Sequence, residues 1–567
     1  MRFVILRSLL LLLFLAITVR LFYWQVVRAP ELQARAEGQH LEKVKIEAER
    51  GKIFFADGSS AASIKPSFIL YGLPKVLNNE EKQKTASLLS QIISQFNQLE
   101  DFEKLKADFR SQLAQDLYWV ILKKNIDLNI KKTIEEAKIK GTGFDPATLR
   151  FYPEGSSSAH LLGFVGSDTK GESTGYFGLE GYYNGELKGI SGVVKQEKDA
   201  LGLPILIGKF LQTSPRNGKN LVLNIDRTAQ YIVEQAIRKG QEHFGAKSVS
   251  AVIMDPKTGA ILALASYPSY DPADFLKFSK DYYKNPIVAE TYEPGSTFKV
   301  LVMATAFNEG VVKPDTRCDM CSGSLQIADF KIKTWNDKYY PDTTMVETII
   351  HSDNTGMVFA GKKLGIDSLF NYLENFGFGK GTNIDLQDEQ AIPLRPKKNW
   401  REIDLATASF GQGIAVTPIQ MITAVSTIAN GGYLMEPHVV KEIKDEKGSF
   451  EIKPKIVRKV LKEETTKTIT EMMVKAVNEG EAKWAKPKGF KIAGKTGTAQ
   501  IPVAGHYDPE KTIASFVGFA PADDPKFVML VLYNQPSSSI FGSETAAPTF
   551  FEIAKELFTY YKIAPSE

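Results

Sequence analysis

The order in which strands and helices fall in the C-terminal half constrains this chain most. Residues 250–254 and 260–265 are apolar runs joined by Asp255-Pro256-Lys257-Thr258-Gly259, a turn with the expected residues. Strands return only at 490–493, 514–519 and 527–532, and an amphipathic helix over 546–561 closes the chain. Between them a helix starts near Ser296. Its body of Val300, Leu301, Val302, Met303, Ala304 and Phe307 predicts burial on nearly every side. A mostly helical stretch then continues to about Gly431. Two early strands, an inserted helical block, three late strands and a last helix predict an α+β fold, an antiparallel sheet with helices packed on it.

Three short motifs ride on this framework in a fixed order. They are Ser296-Thr297-Phe298-Lys299, Ser352-Asp353-Asn354 and Lys495-Thr496-Gly497-Thr498. Alone, each has a plain structural reading: a helix cap, a turn and a loop. Together they form the signature of serine acyl-transfer enzymes that act on penicillin or its natural counterpart. Serine and lysine three positions apart share one helix face, so an amine can reach a hydroxyl and take its proton.

Each motif supplies a part that acyl transfer needs. Ser296 is the expected nucleophile, at a helix N-terminus that favours negative charge. Lys299 is the expected base; it must be neutral, through burial and a second cation, for which Lys495 is the candidate. Ser352 is expected to pass a proton to the leaving amine, and the Asn354 amide to bind a substrate peptide group. Lys495, Thr496 and Thr498 suit a terminal carboxylate. Gly497 is expected to let substrate lie against the strand edge. Backbone N–H groups of Ser296 and Thr498 would form an oxyanion hole, worth roughly 100- to 1,000-fold per donor.

The N-terminal half carries no such cluster. Residues 43–53 read as extended, with Asp57-Gly58 closing a hairpin. Residues 80–138 are charged and helix-rich, with Leu88, Leu89, Ile92, Ile93 and Phe96 at helical spacing. His160, beside an apolar run, is expected to be structural. Residues 221–225 read as a strand, and Asp226 or Thr228 as the cap of a helix running toward Glu242. No phosphate-binding glycine spacing opens a helix, and no metal or cofactor is expected. The only two cysteines, Cys318 and Cys321, exclude a disulfide framework or a four-cysteine zinc site. Their spacing fits a local disulfide, a redox pair or half a metal site, with a local disulfide or two inert thiols favoured. A net charge of +4 over 567 residues gives nucleic-acid binding no support.

Arg2 and Arg7 precede an apolar run that reaches Val27 past Arg20. Residues 3–27 are long enough to span a bilayer, with Phe22, Tyr23 and Trp24 at the outer interface. A cleaved signal peptide competes with this because the uninterrupted apolar core is short; Ala34-Arg35-Ala36 has a cleavage-site pattern but lies far beyond that core, with Arg20 and Arg28 between. The reading taken is a single uncleaved anchor, N-terminus in the cytoplasm and the rest outside.

At this point the chain resembles the class B penicillin-binding proteins, the D,D-transpeptidases that cross-link bacterial peptidoglycan. Beyond the three motifs, the resemblance rests on Asp255–Gly259, Tyr267-Pro268-Ser269-Tyr270-Asp271-Pro272, Glu293-Pro294-Gly295, Ser409-Phe410-Gly411-Gln412-Gly413, Thr417-Pro418, Ala429-Asn430-Gly431-Gly432 and Ser515–Pro521. It covers 217–561. The N-terminal region matches more loosely, through Arg50-Gly51, Arg150–Pro153 and Gly178–Asn184. The resemblance implies a transpeptidase fold, a five-stranded antiparallel sheet flanked by helices with a helical subdomain. It implies an anchor over 1–27, a non-catalytic mixed pedestal over 28–235 and the transpeptidase domain over 236–567. It implies a serine acyl-enzyme with D-Ala-D-Ala stem peptides, release of D-Ala, cross-linking and covalent capture of β-lactams, in the bacterial plasma membrane. Implied partners are a membrane glycan polymerase of the SEDS type and divisome or elongasome proteins, and no nucleic acid. Asp353 departs from a motif that is often Ser-Ser-Asn in these enzymes and Ser-Asp-Asn in class A β-lactamases. A β-lactamase would need a glutamate to activate water; Glu389 lies at a tempting distance without the expected neighbours. A D,D-carboxypeptidase, which passes the acyl group to water, shares the same acyl-enzyme.

Overall fold

The computed structural model describes residues 2–32, 41–96, 101–197, 211–503 and 506–566. Ala34-Arg35-Ala36 lies outside them. The described chain divides into two compact units, one drawn from residues 1–50 and 188–218, the other from 51–187 and 219–567.

The first unit begins with an α-helix, Arg2–Phe22, that continues as a π-helical turn, Tyr23–Val27. None of its side chains is buried, and it is apolar and long enough to cross a membrane. A small antiparallel sheet follows, in the order Leu41–Ile46, Gly192–Glu197, Leu211–Thr213.

The second unit is built on a five-stranded antiparallel sheet: β1 (Ser248–Met254), β2 (Ile261–Tyr267), β3 (Ala493–Val503), β4 (His506–Ala520) and β5 (Phe527–Asn534). The spatial order is β2-β1-β5-β4-β3, so β2 and β3 are the edges. Its helices include α1 (Arg227–Phe244), α2 (Lys299–Asn308), α3 (Met345–Ile350), α4 (Asn354–Asn375), α5 (Pro418–Ala429), α6 (Glu463–Glu479) and α7 (Ala546–Tyr560). Alternation along β5 explains the layering. Phe527, Met529, Val531 and Tyr533 face α1 and α7, whereas Val528, Leu530 and Leu532 face the core shared by α2, α4 and α5. The α2 residues Lys299 through Ala306 are all buried, as the sequence predicts.

The family-like blocks meet in space. Asp226 caps α1 by accepting from Thr228 N and Ala229 N. Asn430 Nδ2 donates to Pro256 O at 2.7 Å, fixing the β1–β2 turn. Thr417-Pro418 is a capping box with Gln420, with proline in the first turn of the wholly buried α5. The three looser N-terminal blocks converge as well. Arg150, buried, donates to Glu180 Oε1 at 2.6 Å and to Gly51 O at 2.7 Å. Asp385, its pKa raised by burial, accepts from Tyr183 OH, Val439 N and Val440 N.

A second, seven-stranded sheet runs from Gly448–Glu451 and Val440–Asp445 through Asn220–Leu223 and Ile53–Phe54 to Ser60–Gly72, which pairs with Val120–Ile126 and Thr142–Phe151. The predicted hairpin at Asp57-Gly58 forms, with Gly58 at φ +83°. Helices Asn79–Phe96 and Phe102–Leu113 cover this lobe. Leu89 and Ile93 enter its core, but Phe96 is exposed. Strand Val120–Ile126 interrupts the segment expected to be helical, its buried Val120, Leu122 and Ile126 masked in sequence by Lys123, Lys124 and Asn125. The strand expected at 490–493 instead begins at Ala493, because Phe490 stacks on Phe558 of α7 before the ladder starts.

An apolar helix of this length binds by hydrophobic burial, which salt does not weaken. The full-length chain is therefore expected to stay with the membrane fraction after a high-salt wash and to leave only with detergent. Release by salt alone would contradict membrane anchoring.

Candidate active site

The turn before α2 is a 3₁₀ segment, Gly295–Phe298. Gly295 has φ +53°, and its N–H donates to Gly411 O at 3.0 Å. A Cβ on Gly411 would stand 2.2 Å from Gly295 O, so blocks 293–295 and 409–413 meet through two glycines. Thr297 Oγ1 closes the turn on Pro294 O at 2.7 Å. Ser296 is half-buried and makes no cap hydrogen bond, unlike the plain reading of a serine at this position.

Lys299 opens α2 one turn later and is fully buried. Its Nζ donates to Ser352 O at 2.6 Å, Asn354 Oδ1 at 2.7 Å and Ser352 Oγ at 3.3 Å. These acceptors belong to the second motif, not to Ser296. Burial, and then the Lys495 cation, pull the Lys299 pKa down to about 7, while Asp353 and Glu481 oppose the shift.

The second motif lies between α3 and α4. Ser352 sits in the left-handed region at φ +54°, a strained position for a residue with a side chain. Asp353, also buried, is the N-cap of α4, accepting from Thr355 N, Thr355 Oγ1 and Gly356 N. The residue that departs from the family motif thus has a structural task. Asn354 Nδ2 donates to Lys333 O at 2.8 Å, which orients its amide.

The third motif lies on edge strand β3, in register with β4 from Ala493↔Phe519 to Thr498↔Ala514. Lys495 is buried, and burial lowers its pKa against the opposing pull of Glu481. Its Nζ donates to Thr496 Oγ1 at 3.2 Å. Thr498 Oγ1 accepts from Gly542 N at 3.1 Å. A Cβ on Gly497 would stand 2.5 Å from Ser515 Oγ and 2.8 Å from Thr297 Cγ2. Gly497 therefore admits the turn that carries Ser296 against the strand.

A cleft of about 600 Å³ unites Ser296, Ser352, Asn354, Thr496 and Thr498, and the Trp335–Phe541 ring pair lies along it. Lys299 and Lys495 lie buried and reach these residues by hydrogen bonds. The same cleft holds Glu481, in the turn after α6, which sequence reasoning missed. Its only signal was a charge in a loop, and such charges are usually solvated. Glu389 accepts from Thr382 N, Thr382 Oγ1 and Asn383 N, and is not among the cleft residues. Cys318 and Cys321 form a local disulfide. His160 is buried edge-on to Tyr270, with its pKa pushed down to about 4 by burial. No group of three or more metal-ligating side chains occurs among the described residues.

Known proteins place this arrangement. The penicillin-binding protein transpeptidase domain matches residues 249–555, and the penicillin-binding protein dimerisation domain matches 45–223. Stage V sporulation protein D of Bacillus subtilis is 34% identical over 565 residues, covering 97% of this chain and 84% of that protein. The chain belongs to the class B penicillin-binding proteins. Another relative, peptidoglycan D,D-transpeptidase FtsI of Escherichia coli, is 28% identical over 568 residues, 100% of this chain and 92% of that one. The crystal structure of penicillin-binding protein 2X from Streptococcus thermophilus superposes with a TM-score of 0.74 at 25% identity, covering 92% of this chain and 80% of that one. Membership accounts for the five-stranded sheet and for a dimerisation-type region ahead of it.

Gly497→Ala tests how tightly a penicillin-binding protein of this geometry holds its edge strand. The added methyl forces β3 and the Ser296 turn apart, at a cost of about 1–3 kcal/mol in stability. Acylation by fluorescent penicillin is expected to slow at least about tenfold, read from labelling rates on the folded variant. Normal labelling would show that the close approach does not position Ser296.

Proposed function

We propose that this class B penicillin-binding protein is a serine peptidoglycan D,D-transpeptidase that works through Ser296, Lys299 and Ser352. The carrying observation is Lys299: a buried amine with a pKa near 7, held by Ser352 and Asn354 one turn from Ser296. An amine neutral near physiological pH accepts a proton that an ordinary lysine cannot.

Ser296 Oγ attacks the carbonyl carbon of the D-Ala-D-Ala peptide bond as its proton passes to Lys299. The backbone N–H groups of Ser296 and Thr498 hold the tetrahedral oxyanion. Collapse breaks the C–N bond, Ser352 relays a proton to the leaving nitrogen, and D-Ala departs. An acceptor amine of a second stem peptide then attacks the ester, gives up its proton and restores the Ser296 hydroxyl. Asn354 binds a donor peptide group; Lys495, Thr496 and Thr498 receive its terminal carboxylate. A β-lactam enters by the same attack on its ring amide and stays attached; Glu389, the glutamate a β-lactamase reading would use to activate water, is committed to its own loop. The carboxypeptidase outcome differs only in that water replaces the acceptor amine.

Ser296→Ala is expected to abolish penicillin labelling in the folded protein, and Lys299→Arg to slow it at least about 100-fold, because arginine keeps the charge but is no base. Wild-type acylation should fall as pH drops through about 7, where Lys299 takes up its proton. Labelling at another serine, or a rate flat from pH 6 to 8, would overturn these roles.

The anchor is proposed to cross the bacterial plasma membrane once with its N-terminus in the cytoplasm, following Arg2 and Arg7. The region over 28–235 is proposed to dock a SEDS-type glycan polymerase and other wall-synthesis proteins rather than to perform chemistry. Leu117, Tyr118 and Trp119 give it an exposed apolar surface. Changing Tyr118 and Trp119 to serine is expected to abolish co-purification with the polymerase while penicillin labelling persists. Unchanged co-purification would move the docking surface elsewhere.

A further inference from the structure

One carboxylate in the cleft takes no part in the steps above. Glu481 Oε2 accepts from Thr496 Oγ1 at 3.4 Å, and the same hydroxyl accepts from Lys495 Nζ at 3.2 Å. A threonine hydroxyl has one proton to donate. The long contact puts a carboxylate belonging to the protein beside that hydroxyl, at the place proposed for the donor's own carboxylate. The placement of Glu481 is set by rigid neighbours. A Cβ on the preceding Gly480 would stand 2.3 Å from Ala476 O in α6 and 3.1 Å from Ile350 O at the end of α3. The backbone just before Glu481 is therefore packed against two helices.

A donor carboxylate arriving here meets a like charge beside Thr496. The Lys495 cation attracts it and Glu481 repels it, and the two charges act in opposite directions on the Lys299 amine. We propose that Glu481 is a specificity-determining residue: it occupies Thr496 until a donor displaces it, and it discriminates among acyl donors by the negative charge they bring to this subsite. Donors whose carboxylate is masked or balanced by a cation escape the repulsion. This inference rests on the acyl-transfer reading and deepens it.

The test uses the full-length protein in detergent with two probes, benzylpenicillin and its methyl ester, which lacks the carboxylate charge. Glu481→Gln keeps the size and a hydrogen-bond acceptor but removes the charge. Its acylation rate constant for benzylpenicillin is expected to rise about tenfold, the low end of what one neighbouring like charge does to an ionised group. For the ester the change should stay within about twofold, and Glu481→Asp should discriminate as the wild type does. Equal acceleration of both probes, no change, or slower acylation would overturn the inference. So would a longer-lived acyl-enzyme without faster acylation, which would make Glu481 a base for hydrolysis. Ser296→Ala separates the two levels: persistent labelling there defeats the acyl-transfer reading itself. Lost labelling there, with no charge discrimination by Glu481→Gln, defeats only the inference.

Discussion

Burial of the Lys299 amine is the constraint on which the rest of the site depends. An ammonium out of water costs several kcal/mol unless its charge is lost or its hydrogens are bound. Both answers operate here. Two oxygens of Ser352 and one of Asn354 take its hydrogens, and the low dielectric together with Lys495 brings its pKa down to about 7. The acceptors have to come from the chain between α3 and α4. There Ser352 adopts φ +54°, and Asp353 secures the next turn by capping α4. The strain at Ser352 and the cap at Asp353 are thus two sides of one requirement, a turn that aims a carbonyl, a hydroxyl and an amide at one buried nitrogen.

The second constraint is steric. Edge strand β3 has to lie against the Ser296 turn, and the contact is made by residues without side chains. Gly497 leaves room for Thr297 and Ser515, Gly295 turns under Ala499, and Gly411 sits on Gly295 O. Sheet edges are exposed to unwanted pairing, and here one flank of the edge is used to build a cleft. Packing at this density transmits small displacements, so a methyl group at Gly497 reaches Ser296 without touching it.

Much of this was legible in the sequence, for identifiable reasons. The sheet strands β1, β4 and β5 are central and apolar, so their periodicity survives; α2 is apolar all round, which only a buried helix tolerates. The three motifs were legible because acyl transfer demands particular groups at particular spacings. Edge strand β3 was displaced by several residues, since Gly494, Lys495, Thr496 and Gly497 serve the cleft and carry no alternation. Val120–Ile126 was hidden by its lysines, and Glu481 by a turn whose position follows from α6 packing near Ile350. Hydrogen-bond partners set by tertiary approach leave no local trace. The choice of Ser352 and Asn354, rather than Ser296, as the acceptors of Lys299 belongs to that class.

The charge balance of the site follows from these placements. Two lysines, Lys299 and Lys495, are buried, and Asp353 and Glu481 both act on Lys299. Lys495 lowers the Lys299 pKa, whereas the two acids raise it. The acids are not equivalent. Asp353 is fixed by three hydrogen bonds at a helix start, while Glu481 holds a single long one to a threonine in the open cleft. A ligand carboxylate arriving at Thr496 adds a second negative charge, since the Glu481 side chain stays tethered beside the cleft. The surroundings of Lys299 are then more negative in the loaded cleft than in the empty one, and nearby negative charge raises its pKa. Added negative charge favours the protonated amine that forms during attack and opposes the neutral amine needed before it, so a carboxylate already in the cleft makes that balance sensitive to the charge a donor brings.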